Sequence, residues 1–379
     1  MRIAYVCADP GIPLLGYKGA SVHLRSLAAA LARRGNRVLQ LVSRVDGDNP
    51  GPPEVTVGLL TESLEGVLED WGCEVVLERY SLASERALAA CRILGIPYAL
   101  ELNAPLVDEA AAYRGLRDVE RWRSRECALL KAADLVVAVS PAVRDHALRC
   151  GVLPEKAVVI RNGVDTALFQ LARPEPILDR FHLKGSRVVG FVGSLKPWHG
   201  VDLLLQAIVE LDADVRALIV GDGPQRAELE TLVGRLGLSD RVLFSGAVPH
   251  AAVPDHMAAM TLGVAPYRGH TDFYFSPLKV AEYMAAGLPV VASRQGELAE
   301  IVGDAGLLVN PDDVKELAEA MSRILAHDVL RSRMQQAARQ RAEIMTWDQV
   351  AARVEAALAS VMAARAQGSD WNPVRNTAA

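Results

Sequence analysis

The segment Asp272-Phe-Tyr-Phe-Ser-Pro-Leu-Lys279-Val-Ala-Glu282-Tyr-Met-Ala-Ala-Gly287-Leu-Pro-Val-Val-Ala292 reads as a strand-end loop, a helix, a turn and a β-strand. Ser276 suits an N-cap and Pro277 the first helical position, which leaves free backbone N–H groups and the positive helix end for an anion. Lys279 and Glu282 lie three positions apart and share one helix face, so a cation for phosphate stands beside a carboxylate for hydroxyls. On these residues alone, an ordinary capped helix with an exposed Lys–Glu pair is an equally good description.

The same strand–helix alternation extends in both directions. Upstream in this half are strands at Val188–Val192, Arg216–Val220, Val242–Phe244 and Leu262–Ala265, followed by Pro289–Ala292, with helical patterns between them. The first half repeats the pattern with Ile3 to Cys7, Arg37 to Ser43, Glu74–Leu77, Tyr98–Leu100, Leu135–Val139 and Ala157–Ile160. Ser140-Pro141 opens a helix, and one long helix is expected from about Glu109 to Lys131. Residues 161–185 break the rhythm with Asn162-Gly163, Pro174 and Pro176, which marks an interdomain linker. The fold class is therefore α/β, with two Rossmann-like, doubly wound parallel sheets whose ligands lie outside the carboxyl ends of the strands.

The expected domains are 1–170, completed by a C-terminal helix at about 347–366, and 171–346. Val350, Val354, Leu358 and Val361 make an apolar stripe on the last helix, and the tail 367–379 lacks periodicity and is expected to be mobile. A chain of 379 residues, 51% hydrophobic and with net charge −5, suits a two-domain globular protein and not a nucleic-acid binder. Cys7, Cys73, Cys91, Cys127 and Cys150 show no CxxC spacing, so neither a disulfide framework nor a zinc site is expected, and a cytoplasmic location is the simplest. No apolar run reaches the ~18 to 20 residues of a membrane-spanning helix.

The Asp272–Ala292 stretch resembles the donor-binding region of family 4 retaining glycosyltransferases, with the GT-B fold. Their pattern is a Glu, seven residues, a second Glu, then Ala-Met-Ala-x-Gly-x-Pro-Val-Val-Ala. Glu282 falls on the second Glu, which holds ribose hydroxyls, and Tyr274 stands where the first would be, with Asp272 and Tyr274 as its substitutes. Phe191-Val-Gly193-Ser194-Leu-Lys196-Pro-Trp-His199-Gly200 resembles the family's Gly-Arg and Lys-Gly pair, but with Ser194 and His199 in the cationic places. Gly221-Asp222-Gly223-Pro224, Phe244-Ser-Gly246 and Arg161-Asn162-Gly163-Val-Asp165 follow the family's order, so the resemblance spans nearly the whole chain.

The resemblance implies metal-independent transfer from a nucleotide-diphosphate sugar, a UDP- or GDP-sugar, and no further cofactor. Donor contacts are expected at Gly193, Ser194, His199, Gly200, Asp222, Gly223, Asp272, Tyr274, Phe275, Ser276, Pro277, Leu278 and Glu282. Lys196 and Lys279 would neutralise the leaving diphosphate, with Ser194 and His199 as hydrogen-bond donors. Asn103 stands where the family carries a His, and a neutral amide can orient a hydroxyl without taking its proton.

In the first domain the loop 11–21 is glycine-rich without being a GxGxxG dinucleotide fingerprint. Gly19 is placed near the donor, and Lys18, His23, Arg79 and Tyr80 near the acceptor, with a packed helix residue as the alternative for His23. Asp212-Ala-Asp214 is a DxD, but it precedes a strand and so lies at the wrong end of the sheet for a metal at the active site. Arg114, Arg117, Arg121, Arg123 and Arg125 beside Trp122 give a helix able to rest on an anionic membrane, or a solvated helix paired with Glu109, Asp118, Glu120 and Glu126. The acceptor is a glycan, a lipid-linked glycan or a small molecule. The rival readings are a non-catalytic nucleotide-sugar binder and an epimerase or phosphorylase on the same fold.

Overall fold

The computed structural model describes residues 1–47, 51–60, 63–269, 273–274 and 276–366. The chain divides into two compact units. The first comprises Met1–Asn162, Tyr274 and Ser276, and the described residues from Trp347 onward; the second comprises Gly163–Phe273 and Pro277–Thr346.

The strands of the first unit are β1 (Arg2–Cys7), β2 (Arg37–Val42), β3 (Thr56–Leu59), β4 (Val75–Arg79), β5 (Tyr98–Leu102), β6 (Leu135–Ala138) and β7 (Ala157–Val159). They form one sheet in the order β3-β2-β1-β4-β5-β6-β7, every pairing parallel. Helices cover both faces of a parallel sheet, so its strands can be apolar on both sides, and Ile3–Cys7 is buried throughout. The order reverses between β1 and β4, which makes the crevice beyond Cys7 and Arg79 the expected ligand position.

The second unit carries β8 (Arg187–Val192), β9 (Val215–Val220), β10 (Val242–Gly246), β11 (Leu262–Ala265), β12 (Val290–Ser293) and β13 (Gly306–Val309), ordered β10-β9-β8-β11-β12-β13, again all parallel. Its reversal point lies between β8 and β11. Leu203, Leu204, Leu205 and Ile208 pack with Val189, Phe191 and Ile219 in one core.

The helix Trp347–Ala366 belongs to the first unit. Its stripe Val350, Val354, Leu358 and Val361 is buried, and Arg33 and Arg34 of the Gly19–Arg33 helix end pair with its Asp348 and Glu355. Each such buried side chain is worth about 1.5–3 kcal/mol, and the exposed ion pairs add little. Ser140 caps the Pro141–Arg149 helix, its Oγ accepting the Val143 N–H at 3.2 Å.

Several expectations need correction. The helix expected over 109–131 is two, Leu106–Tyr113 and Val119–Ala132, broken where Gly115 and Asp118 take left-handed backbone angles. β3 and β13, each four residues long, have too little apolar alternation to stand out in the sequence. The stretch 161–185 contains two short helices, Thr166–Gln170 and Glu175–Arg180. Cys127 and Cys150 are joined by a disulfide, contrary to the reading of the cysteines as unpaired. Residues 367–379 lie outside the described residues. Among the described residues, no helix is long and apolar enough to cross a membrane.

Candidate active site

In the second unit, the loops after β8 and β11 meet at the reversal point. Lys279, on the first turn of the Leu278–Ala285 helix, is 8% exposed, and its Nζ lies 4.2 Å from the centroid of Phe191 and 5.2 Å from that of Tyr267. Among the described residues Nζ has no hydrogen-bond partner. An ammonium sheathed by two rings keeps some cation–π attraction but loses its hydration. Burial accordingly pulls it down to about 7, with the Glu282 carboxylate acting the other way.

Gly193 faces this ammonium, since a Cβ built there would approach Nζ to 3.0 Å. Gly221 has φ +132° and lies so close to the β8 loop that a Cβ would fall 2.0 Å from the Gly193 carbonyl oxygen. Only glycine permits that approach. The Leu195 N–H donates to the Asp222 carbonyl at 3.0 Å, and the Asp222 carboxylate accepts from the Gly223 N–H at 2.7 Å, which locks the β8 and β9 loops together. Gly200, at φ +63°, turns the Pro197–His199 single turn into the Val201–Val209 helix.

His199 corrects one sequence expectation. Its Nδ1 donates to the Ser194 carbonyl oxygen at 2.5 Å, and burial, with Lys279 and Lys196 nearby, lowers the ring to about 3. The ring is neutral, so its remaining nitrogen is an acceptor and not the expected donor to phosphate. Ser194 is exposed, and Lys196 stacks at 5.7 Å over Trp198.

Glu282 is held by a residue the sequence reading passed over: His250 Nε2 lies 2.9 Å from Glu282 Oε1. The two are 32 positions apart, and a lone His after a strand end gave no signal of the pairing. The pair fixes one carboxylate oxygen. Converting His250 to Gln, which retains a hydrogen-bond donor without the imidazole ring, should raise the KM for donor about 5- to 20-fold with kcat little changed, as steady-state kinetics can show.

Ser276 does not cap its helix. Pro277 occupies the N-cap, and Ser276 belongs to the first unit, where its Oγ accepts the Asn162 N–H at 3.2 Å and its carbonyl accepts Asn162 Nδ2 at 2.8 Å. The helix start has no side-chain cap hydrogen bond among the described residues, and Leu278 is its first residue. Tyr274 also belongs to the first unit, and its phenol donates to Glu109 Oε2 at 3.3 Å. Asp272 and Phe275 lie outside the described residues.

The strand ends of the first unit carry a buried polar network. Glu101, near the end of β5, is 2% exposed and accepts the Tyr5 phenol at 2.7 Å, with Arg79 Nη1 at 4.0 Å. His23 Nε2 is in ion-pair contact with Glu101, and its Nδ1 lies 2.8 Å from Asn162 Oδ1. Both ring nitrogens face acceptor oxygens, and Trp347 packs edge-on at 5.1 Å. Burial alone would raise the Glu101 carboxyl, but His23, Arg79 and Tyr5 outweigh it and hold it at about 2.

His23 is thus an internal ion-pair partner and not an acceptor contact, because its helical position turns it under the sheet end. Tyr80 is likewise buried in the core, 5% exposed, and its place as an acceptor contact is not supported. Arg79 Nη1 donates to Asn103 Oδ1 at 2.5 Å, which leaves the buried Asn103 Nδ2 without a partner among the described residues. An unpaired amide N–H₂ at a strand tip is ready to donate to a ligand oxygen. Lys18 closes its own loop by donating to the Gly11 carbonyl at 2.7 Å, and Gly19 opens the first helix with no side-chain cap. Asp212 and Asp214 both clasp Arg187, at 2.8 and 2.6 Å. Arg114, Arg123 and Arg125 are paired with Glu109, Asp108 and Glu85.

Residues 17–168 match the family model described as Glycosyltransferase Family 4, and residues 186–327 match Glycosyl transferases group 1. The chain is 30% identical to 2-deoxystreptamine glucosyltransferase of Streptomyces kanamyceticus over 334 residues, covering 83% of this chain and 82% of that protein. It is 28% identical to D-inositol 3-phosphate glycosyltransferase of Xylanimonas cellulosilytica over 382 residues, covering 88% and 89%. Among solved structures, sucrose-phosphate synthase from Thermosynechococcus elongatus superposes with a TM-score of 0.78 at 24% identity, covering 96% of this chain and all (100%) of that one. Anabaena HepE in complex with UDP gives 0.75 at 22%, covering 95% and 100%.

Proposed function

Because this chain belongs to the family 4, group 1 glycosyltransferases and has their GT-B fold, we propose that it transfers a sugar from a UDP- or GDP-sugar to an acceptor hydroxyl with retention of configuration and without a metal. The buried Lys279 ammonium carries this reading: it lacks a hydrogen-bond partner among the described residues, sits at the β8/β11 reversal point and shares a helix face with Glu282. In this reading Lys279 meets the diphosphate, the uncapped amides of the Leu278–Ala285 helix add their dipole, and Glu282 binds the ribose hydroxyls.

As the bond from the anomeric carbon to the phosphate oxygen breaks, the acceptor oxygen bonds to that carbon on the same face, and the phosphate oxygen takes the acceptor's proton. No protein base is required. Asn103 contributes its amide, unpartnered among the described residues, as an orienting donor, and Arg79 holds that amide in place. The UDP complex of Anabaena HepE supports UDP, and the relatives named for 2-deoxystreptamine and D-inositol 3-phosphate support a small-molecule acceptor. A cytoplasmic location belongs to the same reading.

Isothermal titration with UDP and GDP, with and without magnesium, tests the site. Glu282→Ala should weaken the preferred nucleotide about 10- to 100-fold, the worth of charged hydrogen bonds to two hydroxyls. Unchanged affinity would remove Glu282 from the ribose, and tight binding with no sugar transfer to any acceptor would favour a non-catalytic binder. Nucleotide binding near pH 7.5 should also take up protons, because a diphosphate beside Lys279 favours its charged form and raises a group that burial holds at about 7. The apparent enthalpy should therefore vary with the ionisation enthalpy of the buffer.

A further inference from the structure

Two neighbouring helices of the first unit, Val119–Ala132 and Pro141–Arg149, bring together a second group of reactive side chains. Cys127 and Cys150 are bonded, their Cα atoms 4.7 Å apart. His146 lies one helical turn before Cys150 and Glu126 directly before Cys127. The ligating atoms of Glu126, His146 and Cys150 all lie within 4.8 Å of one another. His146 Nε2 and Glu126 Oε2 are 3.0 Å apart.

Glu126 is 2% exposed, and its Oε1 has no hydrogen-bond partner among the described residues. A carboxylate buried in this way with an oxygen unsatisfied is costly unless something further binds it. His146 supplies one neighbour. Tyr80 hydrogen-bonds the same carboxylate, and Oε1 still has no partner among the described residues.

We propose that the reduced protein binds one zinc ion through Cys127 Sγ, Cys150 Sγ, His146 Nε2 and a Glu126 carboxylate oxygen, and that the Cys127–Cys150 disulfide closes this site. Two thiolates, an imidazole and a carboxylate are a donor set suited to tetrahedral zinc. Zinc bonds of about 2.0–2.1 Å to nitrogen and oxygen place such ligands roughly 3.3 Å apart, near the separation already held by His146 and Glu126. Cys150 Sγ already lies within 4.8 Å of the ligating atoms of His146 and Glu126, whereas Cys127 Sγ stands outside that group and must swing towards it as the sulfurs part to the roughly 3.8 Å expected between thiolates on one zinc ion.

The redox balance is simple. A dithiol reductant delivers two electrons and two protons, the Cys127–Cys150 bond breaks to two thiols, and the reductant becomes a disulfide. Zinc then displaces the two thiol protons into solvent. The ion would replace the disulfide as the tie between the two helices.

The test compares the full-length protein in oxidised and reduced forms, each freed of metal. Zinc competition against a chromophoric chelator should give one ion per reduced chain and binding at least 100-fold weaker to the oxidised chain. Cobalt in the reduced protein should show a thiolate-to-cobalt charge-transfer band that the oxidised protein lacks. Equal zinc uptake by the two forms, or a cobalt spectrum with no thiolate band, would overturn the proposal. Cys127→Ser, at a half-buried position, should weaken the site and dim that band, and an unchanged band would remove Cys127 as a ligand. The oxidised wild type provides the control even if the variant folds poorly.

Discussion

Lys279→Met should lower kcat/KM by about two to three orders of magnitude while leaving the protein as stable as before, or more so. The catalytic loss is the size expected when one preorganised charge facing a departing anion is removed. The stability gain has a separate origin. Lys279 holds a charge between Phe191 and Tyr267 with no hydrogen-bond partner among the described residues. A methionine of similar length fills the slot without that cost and makes favourable sulfur–ring contacts.

The pH dependence follows from the direction of the shift. Burial lowers the folded-state group from 10.5 to about 7, so between those values the unfolded chain binds more protons and wild-type stability rises with pH. The advantage of the methionine variant, about 1–3 kcal/mol by analogy with other buried charges replaced by apolar residues, should be full below about pH 7 and fade as pH approaches 10.5. Denaturant titrations at several pH values, set beside transfer kinetics, measure both effects. A variant that loses stability and activity in parallel would make Lys279 a packing residue and not part of the phosphate site.

Glu101→Gln should cost about 3–5 kcal/mol, because it strips the counter-charge from His23 and Arg79 where solvent cannot replace it. The sign here is the reverse of the lysine case. The folded-state carboxyl is held near 2, below its ordinary 4.5, so the network contributes fully above about pH 5 and its contribution disappears as pH falls towards 2. Wild type and variant should therefore converge in acid. A constant difference across that range would mean that glutamine disturbs packing alone.

What could be read from the sequence was local. Short β-branched runs separated by helical periods mark both parallel sheets, Ser140-Pro141 marks a helix start, and the stripe from Val350 to Val361 marks a buried helix. The donor-site helix was legible because Lys279 and Glu282 are one turn apart. The pairings that organise the rest join distant positions: His23 with Glu101, Glu282 with His250, Cys127 with Cys150. Periodicity carries no record of such contacts. One hint was present, since Glu101 is a charge within an otherwise apolar run that a doubly covered sheet would bury. Ser276 misled for the opposite reason: its local sequence suits a cap, yet Asn162, 114 positions earlier, takes both its hydroxyl and its carbonyl.

The first unit is assembled from segments on either side of the second, with the Trp347–Ala366 helix packed on Gly19–Arg33. During synthesis the ribosome delivers the seven strands of that sheet long before the helix that covers it. Until that helix emerges, the Gly19–Arg33 helix lacks its partner, and the nascent unit carries an apolar flank that chaperones can hold. The second unit, by contrast, has all its strands made before Trp347 is added. The unit whose strands are made earlier is therefore the later of the two to be completed.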